Sequence, residues 1–212
     1  MTPSRDDRLD ALLRRAHVIP VITIDDLAYA IPLARALVAG GLPLLEITLR
    51  TPAGLAAATA IAREVPDAIT GIGTCLTPDD LRRAEDAGAQ FALSPGATPA
   101  LLDAAARSPL PFIPGIATPS ELMQATIHGF TTVKFFPAAT MGGPAALRAL
   151  AGPFPQARFC PTGGINESNA RDWLALPNVV AIGGSWLTAN LQTQDWPQIT
   201  AAARRAANLH VQ

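Results

Sequence analysis

The chain has 212 residues, of which 49% are hydrophobic and 16% charged, with a formal net charge of −1. That balance supports a sizeable core and excludes a disordered chain. It offers no basic run for nucleic acid or an anionic membrane surface. The charged N-terminus is unlike a secretory signal, and no apolar stretch reaches membrane-spanning length. Two cysteines, Cys75 and Cys160, stand in apolar strand-like surroundings and read as buried thiols of a cytoplasmic protein, not as a disulfide.

In chain order, residues 4–16 carry leucines at 9, 12 and 13 and predict an amphipathic N-terminal helix. Short apolar runs follow at 17–24, 44–50, 68–74, 91–96, 110–117, 131–137, 158–164 and 179–186, each read as a strand. Between them lie helix-like segments at 25–40, 53–65, 78–88, 99–107, 119–129, 144–150 and 168–176, and the last helix is placed at 195–207. Thr77-Pro78, Thr98-Pro99 and Thr118-Pro119 have the form of N-cap plus proline starts. Gly40, Gly88 and Gly129 stand where C-terminal glycines close helices. Successive strands start roughly 20–27 residues apart, the spacing of right-handed βα units.

Eight such units without a composition break predict a single α/β domain over 1–212: a (β/α)8 TIM barrel at about 17–209, with the N-terminal helix at about 4–16 covering its floor. An open doubly wound sheet is the competitor. It has fewer strands and a glycine-rich turn after the first, whereas here the first strand runs into Thr23-Ile24-Asp25-Asp26.

Chemistry in a barrel sits at the carboxyl ends of the strands. The second strand offers Glu46, Thr48 and Arg50 at alternate positions, hence on one face. The third ends at Thr74. The sixth carries Lys134, the only lysine among 16 basic residues, in an apolar and aromatic run. Arginine stays protonated, whereas a desolvated lysine amine can attack a carbonyl. A lysine retained by chance in a core strand is the plain structural alternative. Glu46 and Lys134 would project toward one lumen and pair, since an interior charge is costly alone.

The seventh and eighth strands end in Thr162-Gly163-Gly164 and Gly183-Gly184-Ser185. Glycine lets backbone N–H groups approach an anion, and phosphate sites recur after strands 7 and 8 of such barrels. The three histidines, His17, His128 and His210, have no metal-ligand spacing, so no metal is expected. The residues themselves point to a lysine-imine enzyme with an anion site.

The sequence resembles the KDPG/KHG aldolase family. The likeness is carried by Leu-Glu-Ile-Thr-Leu-Arg-Thr-Pro (45–52), Gly-Ile-Gly-Thr (71–74), Phe-Ala-Leu-Ser-Pro-Gly (91–96) and Ile-Pro-Gly-Ile-Ala-Thr-Pro-Ser-Glu-Leu (113–122). It continues through Val-Lys-Phe-Phe-Pro-Ala (133–138), Arg-Phe-Cys-Pro-Thr-Gly-Gly-Ile (158–165) and Ile-Gly-Gly-Ser-Trp-Leu (182–187). The resemblance implies a class I aldolase that releases pyruvate from 2-keto-3-deoxy-6-phosphogluconate, with unphosphorylated 4-hydroxy-2-oxoglutarate as the other family substrate. It implies Lys134 as the imine-forming residue and Glu46 as acid/base. It further implies Arg50 and Thr74 on the carboxylate, Thr162 on the substrate, and Gly163, Gly164, Gly184 and Ser185 at the phosphate. It implies no cofactor and a homotrimer. An aldolase for the galactonate epimer, a phosphosugar isomerase and a non-catalytic ligand-binding barrel are the rival readings.

Overall fold

The computed structural model describes residues 5–189 and 191–209, so Ser4 of the expected first helix and His210 lie outside it. The chain begins with α1 (Arg5–Leu13) and continues β1 (Val18–Ile22), a 3-10 turn (Leu27–Tyr29), α2 (Ala30–Ala39), β2 (Leu44–Thr48), α3 (Gly54–Glu64), β3 (Ile69–Gly73) and α4 (Pro78–Asp86). Then come β4 (Phe91–Leu93), α5 (Pro99–Arg107), β5 (Phe112–Ile113), β6 (Gly115–Ile116), α6 (Pro119–Ile127) and β7 (Thr132–Phe135). The described chain finishes with α7 (Gly143–Ala151), β8 (Arg158–Pro161), α8 (Ala170–Leu174), β9 (Ile182–Gly184), two further 3-10 turns and α9 (Trp196–Ala207).

All pairings are parallel. Six strands form one curled sheet in the order β5-β4-β3-β2-β1-β9, and β6-β7-β8 form a second. The strand expected at 110–117 is two strands because Pro114 interrupts it. Proline has no N–H for the ladder. Its carbonyl still accepts from Lys134 N–H at 2.8 Å, so the chain continues from β5 beside β4 into β6 beside β7. At the other margin two isolated bridges, Phe159↔Val179 and Thr162↔Gly183, link the β8 side to the β9 side. The run expected at 179–186 narrows to Ile182–Gly184, since Trp186 already opens a 3-10 turn.

The strands are short, buried and largely apolar; Thr48, Ser94 and Thr162 stand at or just beyond carboxyl ends, while Thr70, Thr132 and Arg158 lie near strand starts. The helices surround them through their own buried stripes, such as Leu33, Ala34 and Leu37 of α2. Thr77, Thr98 and Thr118 each accept a backbone hydrogen bond at a helix start followed by proline, and Thr77 and Thr118 complete capping boxes with Asp80 and Glu121. Gly88 and Gly129 adopt the left-handed conformation at helix ends. Gly40 does not: its φ is −83°, and the left-handed residue is Gly41 at +91°. Gly40 is small for a different reason, because a Cβ there would sit 2.3 Å from that of Ala203 on α9.

Helix α1 is held across the starts of the later strands. Arg5 donates to the carbonyls of Ala105 and Gly129 and lies 4.3 Å over the Phe130 ring, while Asp10 pairs with Arg158 at the start of β8. Its buried Leu9 and Leu13 join the core. Among the described residues no helix is long and apolar enough to cross a membrane, and no group of His, Cys, Asp and Glu could hold a metal ion.

Candidate active site

The lone lysine and the acid on β2 meet inside the curled sheet. Lys134 Nζ donates to Glu46 Oε1 at 2.8 Å, and the two side chains are only 4% and 1% exposed. β2 and β7 are not neighbours in the strand order, so the contact crosses the interior. A pair this dry is costly to form and costly to break from one side. The second carboxylate oxygen, Glu46 Oε2, is buried and has no hydrogen-bond partner among the described residues. The Lys134 ammonium also lies 5.8 Å from the centre of the Phe136 ring.

Glycine makes room for this pair. A Cβ on Gly73 would come within 2.2 Å of Glu46 Oε1, so the carboxylate rests against the bare backbone of β3. On the lysine's other side, Lys134 is in register with Cys160 of β8. Burial pushes the Cys160 thiol up to about 12, with Glu46 adding to the shift and Lys134 opposing it. Cys75 is likewise pushed up to about 12, by burial first and then by Asp80 and Glu46. Both are free and buried, and at neutral pH they are uncharged neighbours of the pair.

The remaining expected site residues fall at the carboxyl ends of the strands. Thr74 directly follows β3 with φ at +66°, a strained setting for a β-branched residue. Thr162 is buried at 6% exposure, with its hydroxyl unpartnered among the described residues. Its side chain fills the space that a Cβ on Gly183 would need. Gly163 and Gly164 both have positive φ, at 103° and 75°, which turns the chain sharply after β8. Arg50 is exposed just beyond β2 and makes no ion pair among the described residues. It lines an open cavity of about 990 Å3 together with Gly164, Ser185 and Trp186.

Gly184 has a packing reason for its small size that the sequence does not reveal. A Cβ there would lie 1.6 Å from the indole of Trp186, so the ring covers this glycine. Sequence reasoning also passed over Thr23, Asp25 and Asn166, which line the same cavity. Their signal was position alone: Thr23 and Asp25 follow the first strand, and Asn166 follows the glycine pair.

The family model for KDPG and KHG aldolase matches residues 9–202. The chain is 52% identical over 199 residues to the KHG/KDPG aldolase of Escherichia coli, covering 93% of each. It is 49% identical to the 2-dehydro-3-deoxy-phosphogluconate aldolase of Pseudomonas aeruginosa, covering 94% of this chain and 91% of that one. Among solved structures it is similar to a KDPG aldolase from Legionella pneumophila that holds pyruvate as a covalent carbinolamine intermediate. That likeness has a TM-score of 0.92 at 45% identity and covers 94% of this chain and 98% of the other. A Zymomonas mobilis 2-keto-3-deoxy-6-phosphogluconate aldolase solved with 3-phosphoglycerate aligns with a TM-score of 0.93 at 42% identity, over 98% and 97% of the two chains. Matched along nearly its whole length, with its one lysine buried against Glu46, the chain belongs to the KDPG/KHG aldolase family.

Proposed function

We propose that this chain cleaves 2-dehydro-3-deoxy-6-phosphogluconate to pyruvate and glyceraldehyde 3-phosphate through an imine on Lys134, and that it also accepts 4-hydroxy-2-oxoglutarate, giving pyruvate and glyoxylate. The observation that carries the reading is the buried 2.8 Å contact between Lys134 and Glu46. The names of the relatives and the covalent pyruvate of the Legionella pneumophila enzyme support it.

The geometry suits a two-part cycle. Lys134 in its neutral form attacks the C2 carbonyl, and Glu46 keeps its carboxylate for the later step. Loss of water from the carbinolamine gives an iminium that draws electrons from the C3–C4 bond. The Glu46 carboxylate removes the C4 hydroxyl proton, directly or through a water molecule; the bond breaks, the aldehyde leaves and an enamine remains. Protonation at C3 and hydrolysis release pyruvate and restore the amine. No cofactor or metal takes part.

Arg50 and Thr74 are assigned to the substrate carboxylate, and Thr162 to the atoms near the scissile bond. Gly163, Gly164, Gly184 and Ser185 are assigned to the phosphate. The shared cavity of Arg50, Gly164 and Ser185 supports an anion there. The strand order and the two bridges support one closed (β/α)8 barrel with α1 across its floor. Met123 and Ile127, exposed on one face of α6, support self-association, proposed as a homotrimer in the cytoplasm.

Sodium borohydride with pyruvate tests the reaction. Covalent mass on Lys134, absent in Lys134→Arg together with all cleavage, is the expected result. An unmodified lysine in active protein would overturn the imine and favour the isomerase reading. The kcat/KM ratio between phosphorylated and unphosphorylated keto acids then settles the substrate.

A further inference from the structure

We infer that Thr23 is a specificity-determining residue that accepts a hydrogen bond from the substrate hydroxyl lying between the scissile bond and the phosphate. The inference rests on the aldolase reading above. Its basis is the direction of two hydrogen bonds at the end of β1.

Thr48 is fully buried on β2, and its hydroxyl donates to the carbonyl of Ile22 at 3.0 Å. A hydroxyl has one proton. Thr48 has therefore used its own, and its 3.0 Å contact with the Thr23 hydroxyl must be donated by Thr23. Thr23 is half-buried and lines the open cavity. With its proton committed to Thr48, it offers that cavity lone pairs only. Asp25 lines the cavity too, and a carboxylate likewise accepts. The end of β1 is thus an acceptor wall.

Other parts of the same cavity have the opposite character. Arg50 supplies a guanidinium that can only donate, and Ser185 a hydroxyl free to do so. An anionic group is drawn to Arg50 and Ser185 and repelled from Thr23 and Asp25. A neutral hydroxyl is welcome at Thr23 because it brings the missing proton.

The chemistry of the substrate then selects the group. In 2-dehydro-3-deoxy-6-phosphogluconate the C4 hydroxyl proton goes to Glu46, which leaves the C5 hydroxyl as the free donor. In 4-hydroxy-2-oxoglutarate that carbon is a carboxylate, with no proton to give at neutral pH. Thr23 therefore favours hydroxylated sugar acids. Thr48 stands two residues from Glu46 on the same face of β2, so the acceptor is fixed to the strand that carries the acid/base group.

The test uses condensation, where the hydroxyl can be removed from the aldehyde alone. Pyruvate is combined with glyceraldehyde 3-phosphate or with its 2-deoxy analogue, 3-phosphooxypropanal. Thr23→Val and Thr23→Ala should lower kcat/KM for glyceraldehyde 3-phosphate about three- to tenfold, the effect of one hydrogen bond, and leave the analogue unchanged. Thr23→Ser, which keeps the hydroxyl, should restore the preference. Equal losses on both aldehydes, or no loss on either, would overturn the role of Thr23. Borohydride trapping of pyruvate on the wild-type protein separates the two failures. Trapping with equal losses removes Thr23 alone, whereas no trapping removes the aldolase reading beneath it.

Discussion

Replacing Gly73 by alanine tests whether the position of the Glu46 carboxylate matters as much as its presence. Gly73 ends β3 outside the left-handed region, so its backbone accepts alanine. The added Cβ would lie 2.2 Å from Glu46 Oε1, 2.6 Å from Cγ and 2.7 Å from Cδ. Ordinary contact begins near 3.4 Å, so Oε1 must retreat by about 1.2 Å. That is enough to stretch or break the 2.8 Å bond to Lys134. A misplacement of about 1 Å at a reacting group lowers the rate by roughly 10²-fold, or about 2.7 kcal/mol in the barrier. Overpacking also destabilises the fold by about 1–3 kcal/mol, which thermal melting would read separately.

The assay is kcat for cleavage, with pyruvate formation followed through lactate dehydrogenase, in a double-mutant cycle with Glu46→Ala. In that background there is no carboxylate to displace, so Gly73→Ala should cost nothing further. A folded Gly73→Ala enzyme with wild-type kcat would refute the reasoning. So would an equal loss in both backgrounds, because the effect would then not pass through Glu46.

Glu46→Gln should still trap pyruvate on Lys134 while turnover falls by roughly 10²–10⁴-fold, the range for a positioned acid–base group; unaltered turnover would leave Glu46 a structural partner only. Ser185→Ala should reduce kcat/KM for the phosphorylated substrate about three- to tenfold and spare 4-hydroxy-2-oxoglutarate. It is a cleaner probe than Gly184→Val, whose side chain would first have to displace the Trp186 ring; equal losses on both substrates would remove Ser185 from the phosphate. The two thiols hold their protons more tightly folded than unfolded, rising from 9.0 to about 12. Their contribution is whole below pH 9 and lost as pH rises toward 12. Cys75→Ala with Cys160→Ala should flatten that alkaline loss of stability, and a decline as steep as that of the wild type would show that other groups cause it.

The sequence announces its fold where one residue has one physical job. The Thr-Pro pairs start helices because threonine accepts a hydrogen bond and proline needs no donor partner, and all three perform as expected. Lys134 and Glu46 stand out because a charge in an apolar run needs a partner, and each is the other's. Legibility fails where the cause is tertiary. Pro114 was plain to see, but whether it bends a strand or divides it depends on which neighbours flank it. Gly40 and Gly184 looked like turn or anion glycines, yet Ala203 and Trp186 decide their size, and both contacts depend on the folded packing. The Thr23–Thr48 pair could not be found from spacing, because threonines at strand ends are common and only their mutual 3.0 Å contact gives them a direction.

Several energetically unfavourable features fall at the carboxyl ends of the strands or beside the buried pair. Thr74 is a β-branched residue at φ +66°, a conformation that costs about 1–3 kcal/mol. Glu46 Oε2 and the Thr162 hydroxyl are buried without partners among the described residues, where each polar atom loses its water. The strand starts are mixed: Arg5 and Arg158 there are paired to carbonyls or carboxylates, and Leu9 and Leu13 pack into the core, but the Thr70 and Thr132 hydroxyls near the starts of β3 and β7 are also buried without partners among the described residues. Unpartnered atoms alone therefore do not mark the reactive end; the ones that can serve chemistry are those beside the Lys134–Glu46 pair and at the carboxyl ends. A site that must present a carboxylate and a hydroxyl to a keto acid keeps such atoms unsatisfied, because groups already satisfied by the protein have nothing to offer a substrate.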